Sequence, residues 1–231
     1  MNKTLRNSVM AGWIISSGLG LAGKAAAADS ADTGLRITVY VNNYAQVEPE
    51  TLARAKEVAA RIFGKAGVET VILDGGSFKV GQANEVRFFV NILTRQMAEQ
   101  MSEKLGLPTN IAGVAAGTSK NQRSRKYVYI FDHVVKRIAR DQMKARVEGK
   151  VSFHADKGQV LGHAMAHEIG HVLLNLASHS PKGLMRANWD QKDLQSAATG
   201  QLLFTPEQAE LIRTEVILRD RQEKTLEVAA L

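Results

Sequence analysis

The sequence has no cysteine among its 231 residues, and this absence excludes several kinds of site. A disulfide framework, a thiolate metal ligand and cysteine-based latency are all ruled out. Proline is also scarce, with only four residues, and no proline-rich or low-complexity linker divides the chain. This length favours one substantial domain, or two small lobes around a cleft.

Long hydrophobic runs are missing as well. The most apolar early stretch, residues 9–21, is short and interrupted by glycine and serine. It follows two basic residues and precedes an A-x-A pattern at residues 25–28, which is the order typical of a secretory signal peptide. We therefore predict a signal peptide at residues 1–28 and a secreted or periplasmic protein without a membrane span after signal removal. An uncleaved anchor is the alternative.

Acidic residues are fewer than basic ones, and the formal net charge is +7. Removal of residues 1–28, which carry three basic and no acidic residues, lowers it to about +4. Much of the excess lies in residues 120–150, which we interpret as a solvated helix face and loop. The alternative is attraction to an acidic partner. No motif of a nucleic-acid-binding fold accompanies the segment, so no nucleic-acid partner is expected.

The most informative motif is H-E-x-x-H, formed by His167, Glu168 and His171. Two helical residues four positions apart lie one turn apart on one face, so the two imidazoles can bind one metal ion. Glu168 is rotated by about 100° from His167, and it can reach a water on the metal without being a ligand. A helix ending near Asn175 is predicted, with an apolar stripe opposite the histidines. The stripe consists of Leu161, Met165, Ile169, Val172 and Leu176.

A catalytic zinc site usually needs a third protein ligand and leaves its fourth position open. His163 lies one turn before His167, but about 12 Å of helix axis separates it from His171, which is too far for a shared ion. His179 is the stronger candidate, because a chain that doubles back after the helix would return its imidazole to the metal. The carboxylate alternatives are Asp190, Asp193 and Glu207.

The residues before the motif predict a mixed α/β fold. A strand at 35–41, a helix at 49–63 and a strand at 68–73 follow one another, and this order favours a parallel pair with a helix packed on the sheet. Small residues at 111–117 suit the edge of a sheet, where an extended substrate could pair with the backbone. Other elements are predicted as strands at 86–93 and 127–131, and helices at 95–105, 134–147, 189–197 and 206–221. Thr205 is the predicted cap of the last helix, and Gln208 completes a predicted capping box.

The motif segment resembles the signature of the metzincin clan of zinc peptidases, H-E-x-x-H-x-x-G-x-x-H followed by a methionine turn. The H-E-x-x-H residues match, while His179 and Met185 resemble the third histidine and the turn methionine. The sequence departs from the family in two places. Seven residues separate His171 from His179 where the family has five, and Leu174 occupies the family's glycine position.

The resemblance implies a fold as well as a site. We expect residues 29–231 to form one α/β (α+β) catalytic domain with two lobes. The upper lobe, at about 35–175, would hold a twisted, mostly parallel sheet, a backing helix and the active-site helix. The small lower lobe, at about 176–231, would end in a helix.

The function expected from motif and resemblance is that of an exported zinc metalloendopeptidase acting on a protein or peptide substrate. Zn²⁺ bound by His167, His171 and His179 would lower the pKa of a bound water, and Glu168 would accept its proton during attack on a peptide carbonyl. Met185 would form an apolar floor beneath the ion.

Two alternatives to this function stay open. One is an H-E-x-x-H peptidase of another clan, with Glu207 or Asp190 as third ligand. The other is a non-catalytic zinc-binding envelope protein.

Overall fold

The computed structural model describes residues 34–78, 86–116, 127–151, 153–174 and 179–228. The predicted signal peptide, the predicted helix end at Asn175, the stripe residue Leu176 and part of the basic segment at 120–150 lie outside these residues. Among the described helices, none is long and apolar enough to cross a bilayer.

Five strands form one sheet with the order β2-β1-β3-β5-β4. Strands β1, β2, β3 and β5 run parallel, whereas β4 lies at the edge and pairs with β5 in the antiparallel direction. The strands are β1 (Arg36–Asn43), β2 (Glu69–Asp74), β3 (Val86–Leu93), β4 (Gly113–Ala116) and β5 (Tyr127–Phe131). The parallel β1–β2 pair joined through a helix confirms the predicted β-α-β opening.

Six α-helices occur in the described part of the chain, together with a short 3₁₀ helix at Gly75–Ser77. The helices are α1 (Pro49–Lys65), α2 (Arg95–Leu105), α3 (Asp132–Val147), α4 (Lys157–Leu174), α5 (Gln191–Ala198) and α6 (Pro206–Val228). The predicted α/β class with a mostly parallel sheet is confirmed, and the chain ends in a helix as expected. The last helix is longer than the predicted one, which stopped near Arg221.

Local sequence explains where the last long helices begin. At the start of α6, the Gln208 N–H donates to the Thr205 hydroxyl and the Thr205 N–H donates to the Gln208 side chain, which is the predicted capping box. Helix α4 starts with the same arrangement between Asp156 and Gln159, which the sequence analysis did not identify. This cap fixes the first turn of the helix that carries the H-E-x-x-H motif.

Helix α4 is the centre of the molecule. It packs against α1, α3, α5, α6, β4 and β5. The predicted apolar stripe is buried at Leu161, Met165, Ile169 and Val172, but the rest of the helix is buried too, including Glu168. One-sided burial was therefore the wrong expectation for α4, because the sheet and α1 cover one side while the residues after position 179 cover the other.

Candidate metal centre

Three histidine side chains converge at the carboxyl-terminal half of α4. The His171 Nε2 atom lies 3.1 Å from His167 Nε2 and 3.2 Å from His179 Nε2. His167 and His171 lie on consecutive turns of α4, as the four-residue spacing predicts. The structure therefore brings together the three histidines that the sequence analysis selected as ligands.

His179 reaches the helix because the chain after it folds into a closed turn. The Ser180 N–H donates to the Met185 carbonyl at 2.8 Å, and the Leu184 N–H donates to the Leu203 carbonyl at 2.9 Å. The first bond closes the turn, and the second attaches it to the segment before α6. Together they hold His179, which directly precedes the turn, against α4. The two extra residues relative to the metzincin spacing do not prevent this return.

The separations between the imidazole nitrogens fit a single metal ion. Ligand atoms about 2.0–2.1 Å from a tetrahedral ion are about 3.3 Å apart, because each edge of a tetrahedron is about 1.6 times the centre-to-corner distance. The two measured nitrogen–nitrogen distances of 3.1 and 3.2 Å are close to this value. Among the described residues, His167, His171 and His179 form the group able to hold a metal ion.

Hydrogen bonding fixes the proton on His167. Its Nδ1–H donates to the Leu184 carbonyl at 2.8 Å, so its Nε2 presents a lone pair to the cluster. Burial and, to a smaller extent, the nearby His171 and His179 lower the pKa of His167 to about 4, against the opposing effect of the Leu184 bond. A neutral imidazole with a free Nε2 lone pair is the form that binds a metal.

Trp189 also forms a hydrogen bond with the Leu184 carbonyl group. Its indole N–H donates to the Leu184 oxygen at 3.0 Å, so this oxygen accepts from both Trp189 and His167. The indole ring also meets the His167 ring edge-on, with centroids 5.7 Å apart. Two contacts from Trp189 thus restrict the orientation of one ligand.

Glu168 lies beside the histidines and is almost completely buried. Burial raises the pKa of its carboxyl group to about 8, while a hydrogen bond from the Ala115 backbone lowers it. A nearby divalent cation adds opposite charge and favours the ionised form. The edge strand approaches the glutamate closely, because a Cβ atom on Gly113 would lie 2.8 Å from Glu168 Cγ.

Met185 is fully buried next to the motif rather than among the ligand atoms. A Cβ atom on Gly170 would lie 2.8 Å from Met185 Sδ and 2.8 Å from the Phe204 ring. Glycine between the two helical histidines therefore allows Met185 and Phe204 to pack directly on the helix. The role of Met185 as an apolar floor beneath a metal ion stays a prediction.

His163 does not belong to the cluster, as its position along the helix predicted. Its Nδ1–H donates to the Gln159 carbonyl at 2.7 Å, and its buried Nε2 has no hydrogen-bond partner among the described residues. Burial lowers the pKa of His163 to about 4. The side chain is a packed neutral histidine.

The carboxylates considered as third ligands lie elsewhere. Asp190 caps the start of α5 and accepts a 2.8 Å hydrogen bond from Arg186, which with two backbone N–H groups holds the pKa of Asp190 at about 2. Asp193 also pairs with Arg186, and Glu207 is exposed in the first turn of α6. None of the three belongs to the metal-binding group found among the described residues.

A cavity of about 560 Å³ opens over the cluster. Its walls include the three histidines, Glu168, residues 110–115 leading into and along β4, and both Arg137 and Arg186. Edge strand β4 thus lies along one wall, as predicted for residues 111–117. The cavity gives solvent access to the cluster.

Sequence reasoning missed four contributors to this site: Leu184, Trp189, Gly113 and Arg137. The Leu184 contribution is a backbone carbonyl, which no side-chain pattern reveals. Trp189 lies 18 residues after His171 and Arg137 lies 30 residues before His167, so neither belongs to the H-E-x-x-H pattern.

No protein-family model matches the sequence, and no curated protein matches it. One similar solved structure is the solution structure of TM1509 from Thermotoga maritima, which is 12% identical over 78% of this chain and 91% of that chain, with a TM-score of 0.29. A likeness of this size supports no inference about function.

Proposed function

We propose that the protein is an exported zinc peptidase that hydrolyses peptide bonds in a protein or peptide substrate. The observation that supports this most strongly is the convergence of three imidazole nitrogens beside a buried glutamate, at the wall of an open cavity. His167, His171 and His179 would hold the ion. Export rests on the signal-like residues 1–28 alone.

A bound zinc ion supplies Lewis acidity, which polarises a carbonyl group and makes water a stronger acid. Three neutral imidazoles suit this chemistry because they do not cancel the charge of the ion. His167 is kept in the required tautomer by its bond to the Leu184 carbonyl.

Glu168 is the residue that moves protons in this proposal. Its carboxyl group lines the cavity and is oriented by the hydrogen bond from the Ala115 backbone. It accepts a proton from the attacking water and returns it to the amine that leaves.

Edge strand β4 is the proposed binding surface for the peptide backbone. Among the described strands, β4 pairs with β5 alone, so its other edge could pair with an extended chain. Because Ala115 on β4 contacts Glu168, a peptide paired along this strand would pass next to the proposed base.

The test combines zinc stoichiometry with digestion of a peptide library. We expect Glu168→Gln to bind one zinc ion per chain and to lose about 10²- to 10⁴-fold in turnover, the usual contribution of a general base. His179→Ala should lose the zinc, while the control Asp190→Ala should keep it. Wild-type turnover in Glu168→Gln would reject the assigned base. A zinc-loaded wild-type protein that cleaves no peptide would instead support the non-catalytic zinc-binding alternative.

A further inference from the structure

Two arginines line the cavity over the histidine cluster, and they differ in their partners. Arg186 is neutralised by Asp190 and Asp193. Arg137, on α3, makes one long hydrogen bond of 3.5 Å from Nη2 to the Asn110 carbonyl. Among the described residues, no carboxylate lies within salt-bridge distance of Arg137, so most of its five N–H donors face no protein acceptor.

Three acidic residues lie on α3 or α2 in the region of Arg137. Asp132 accepts ion pairs from Lys136 at 2.8 Å and from Lys157 at 2.9 Å, and Glu99 pairs with Arg95 at 2.8 Å. Asp141 lies one turn after Arg137 on α3 but forms no ion pair with it. The exposed guanidinium of Arg137 therefore has no carboxylate partner within 4 Å among the described residues.

Arg137 lies next to the path that a peptide paired with β4 would follow. Asn110, whose carbonyl it contacts, lies three residues before β4 begins at Gly113. An extended peptide that pairs with β4 would pass Gly113 and continue along residues 110–112, which also line the cavity. The guanidinium thus lies at the end of the proposed backbone-binding edge.

We propose that Arg137 binds a carboxylate of the substrate, so that the preferred substrates are peptides with Asp or Glu at one fixed position near the cleaved bond. This inference rests on the proposed peptidase function. A guanidinium binds a carboxylate through two parallel N–H···O bonds, which gives orientation as well as attraction.

The cavity favours an acidic peptide over nucleic acid. Its wall is otherwise apolar near Arg137, with Ile111, Ala112, Val114 and Ile138. Nucleic-acid binding depends on many cations that neutralise successive phosphates. Among the described residues that line the cavity, one guanidinium is available and the other is paired. This lining is suited to one acidic side chain of a peptide.

The experiment compares two fluorogenic peptides that differ only by Glu or Gln at the position selected by a library digest of the zinc-loaded full chain. Wild type should prefer the Glu peptide by about fivefold to tenfold in kcat/KM, and added salt should reduce the ratio. Arg137→Gln should bring the ratio to about one, and Arg137→Glu should favour a matched Lys peptide. The control Arg140→Gln removes an arginine of the same helix that does not line the cavity, and it should keep the wild-type ratio.

Binding is measured separately in zinc-loaded Glu168→Gln by fluorescence anisotropy of a peptide set that carries Glu or Gln at each position in turn, so neither the choice of peptide nor the result depends on turnover. Preference for the Glu peptide that disappears with Arg137→Gln supports the proposal even if the peptidase assignment fails. The proposal is overturned if neither peptide binds, if the ratio survives Arg137→Gln, or if Arg140→Gln changes it equally. Arg137-dependent binding of a single-stranded RNA that displaces the Glu peptide would also overturn it.

Discussion

Replacing Gly113 by alanine tests how closely the edge strand packs against the proposed base. A Cβ atom at this position would lie 2.7 Å from the Tyr129 carbonyl oxygen and 2.8 Å from Glu168 Cγ. Ordinary van der Waals contact begins near 3.4 Å, so each contact is shorter by about 0.6–0.7 Å. Either β4 moves away from β5, or Glu168 moves away from β4.

The expected losses of stability and of activity follow from these two contacts. Overpacking by one methyl group typically lowers the free energy of unfolding by about 1–3 kcal/mol. A catalytic group misplaced by about 1 Å can lose about 10²-fold in rate, so we expect kcat/KM to fall by about tenfold to a hundredfold. Zinc should be retained, because none of the three nearest atoms to the new methyl belongs to a histidine.

The assay combines urea unfolding, zinc stoichiometry and peptide hydrolysis on wild type and Gly113→Ala. Gly64→Ala is the matched control, because a Cβ atom at this position in α1 meets nothing within 4 Å. That variant should be as stable as wild type or more stable by up to about 1 kcal/mol. Wild-type stability and activity in Gly113→Ala would show that β4 and Glu168 are not packed as described.

Two further predictions concern the surroundings of the cluster. Because burial lowers the pKa of His163 to about 4, only the unfolded chain takes up its proton between pH 6.5 and 4. As the pH falls through this window, His163 should lower the free energy of unfolding of the metal-free protein by about 3 kcal/mol. Urea unfolding at several pH values gives the slope of the free energy of unfolding against pH. His163→Leu should reduce this slope by an amount that corresponds to about one proton. An unchanged slope would contradict the burial argument. Trp189→Phe removes the indole donor to the Leu184 carbonyl, so zinc affinity should fall by about tenfold in a chelator competition. Equal affinity in the two proteins would show that Trp189 does not orient His167.

Much of the fold was predictable because the strands and helices carry local signals. The predicted strand at 35–41 corresponds to β1, and the predicted helix at 49–63 corresponds to α1. Their order predicted a parallel pair. The burial of α4 on nearly every side was not predictable, since it depends on elements that come from both ends of the chain.

The sequence by itself determined the chemistry of the cluster. A spacing of four residues places His167 and His171 on one helix face regardless of the rest of the molecule, and it places Glu168 beside them. The candidate third ligand was also apparent, since His179 follows the helix closely and the segment up to Met185 resembles a known signature.

Only the tertiary structure decided how that chemistry is oriented and what the cavity can bind. The carbonyl that holds His167 and the guanidinium of Arg137 reach the site through contacts between residues 17 and 27 positions apart, and the indole of Trp189 meets the His167 ring from 22 positions away. Such contacts depend on how the helices and the edge strand pack together, and no local spacing in the chain encodes them.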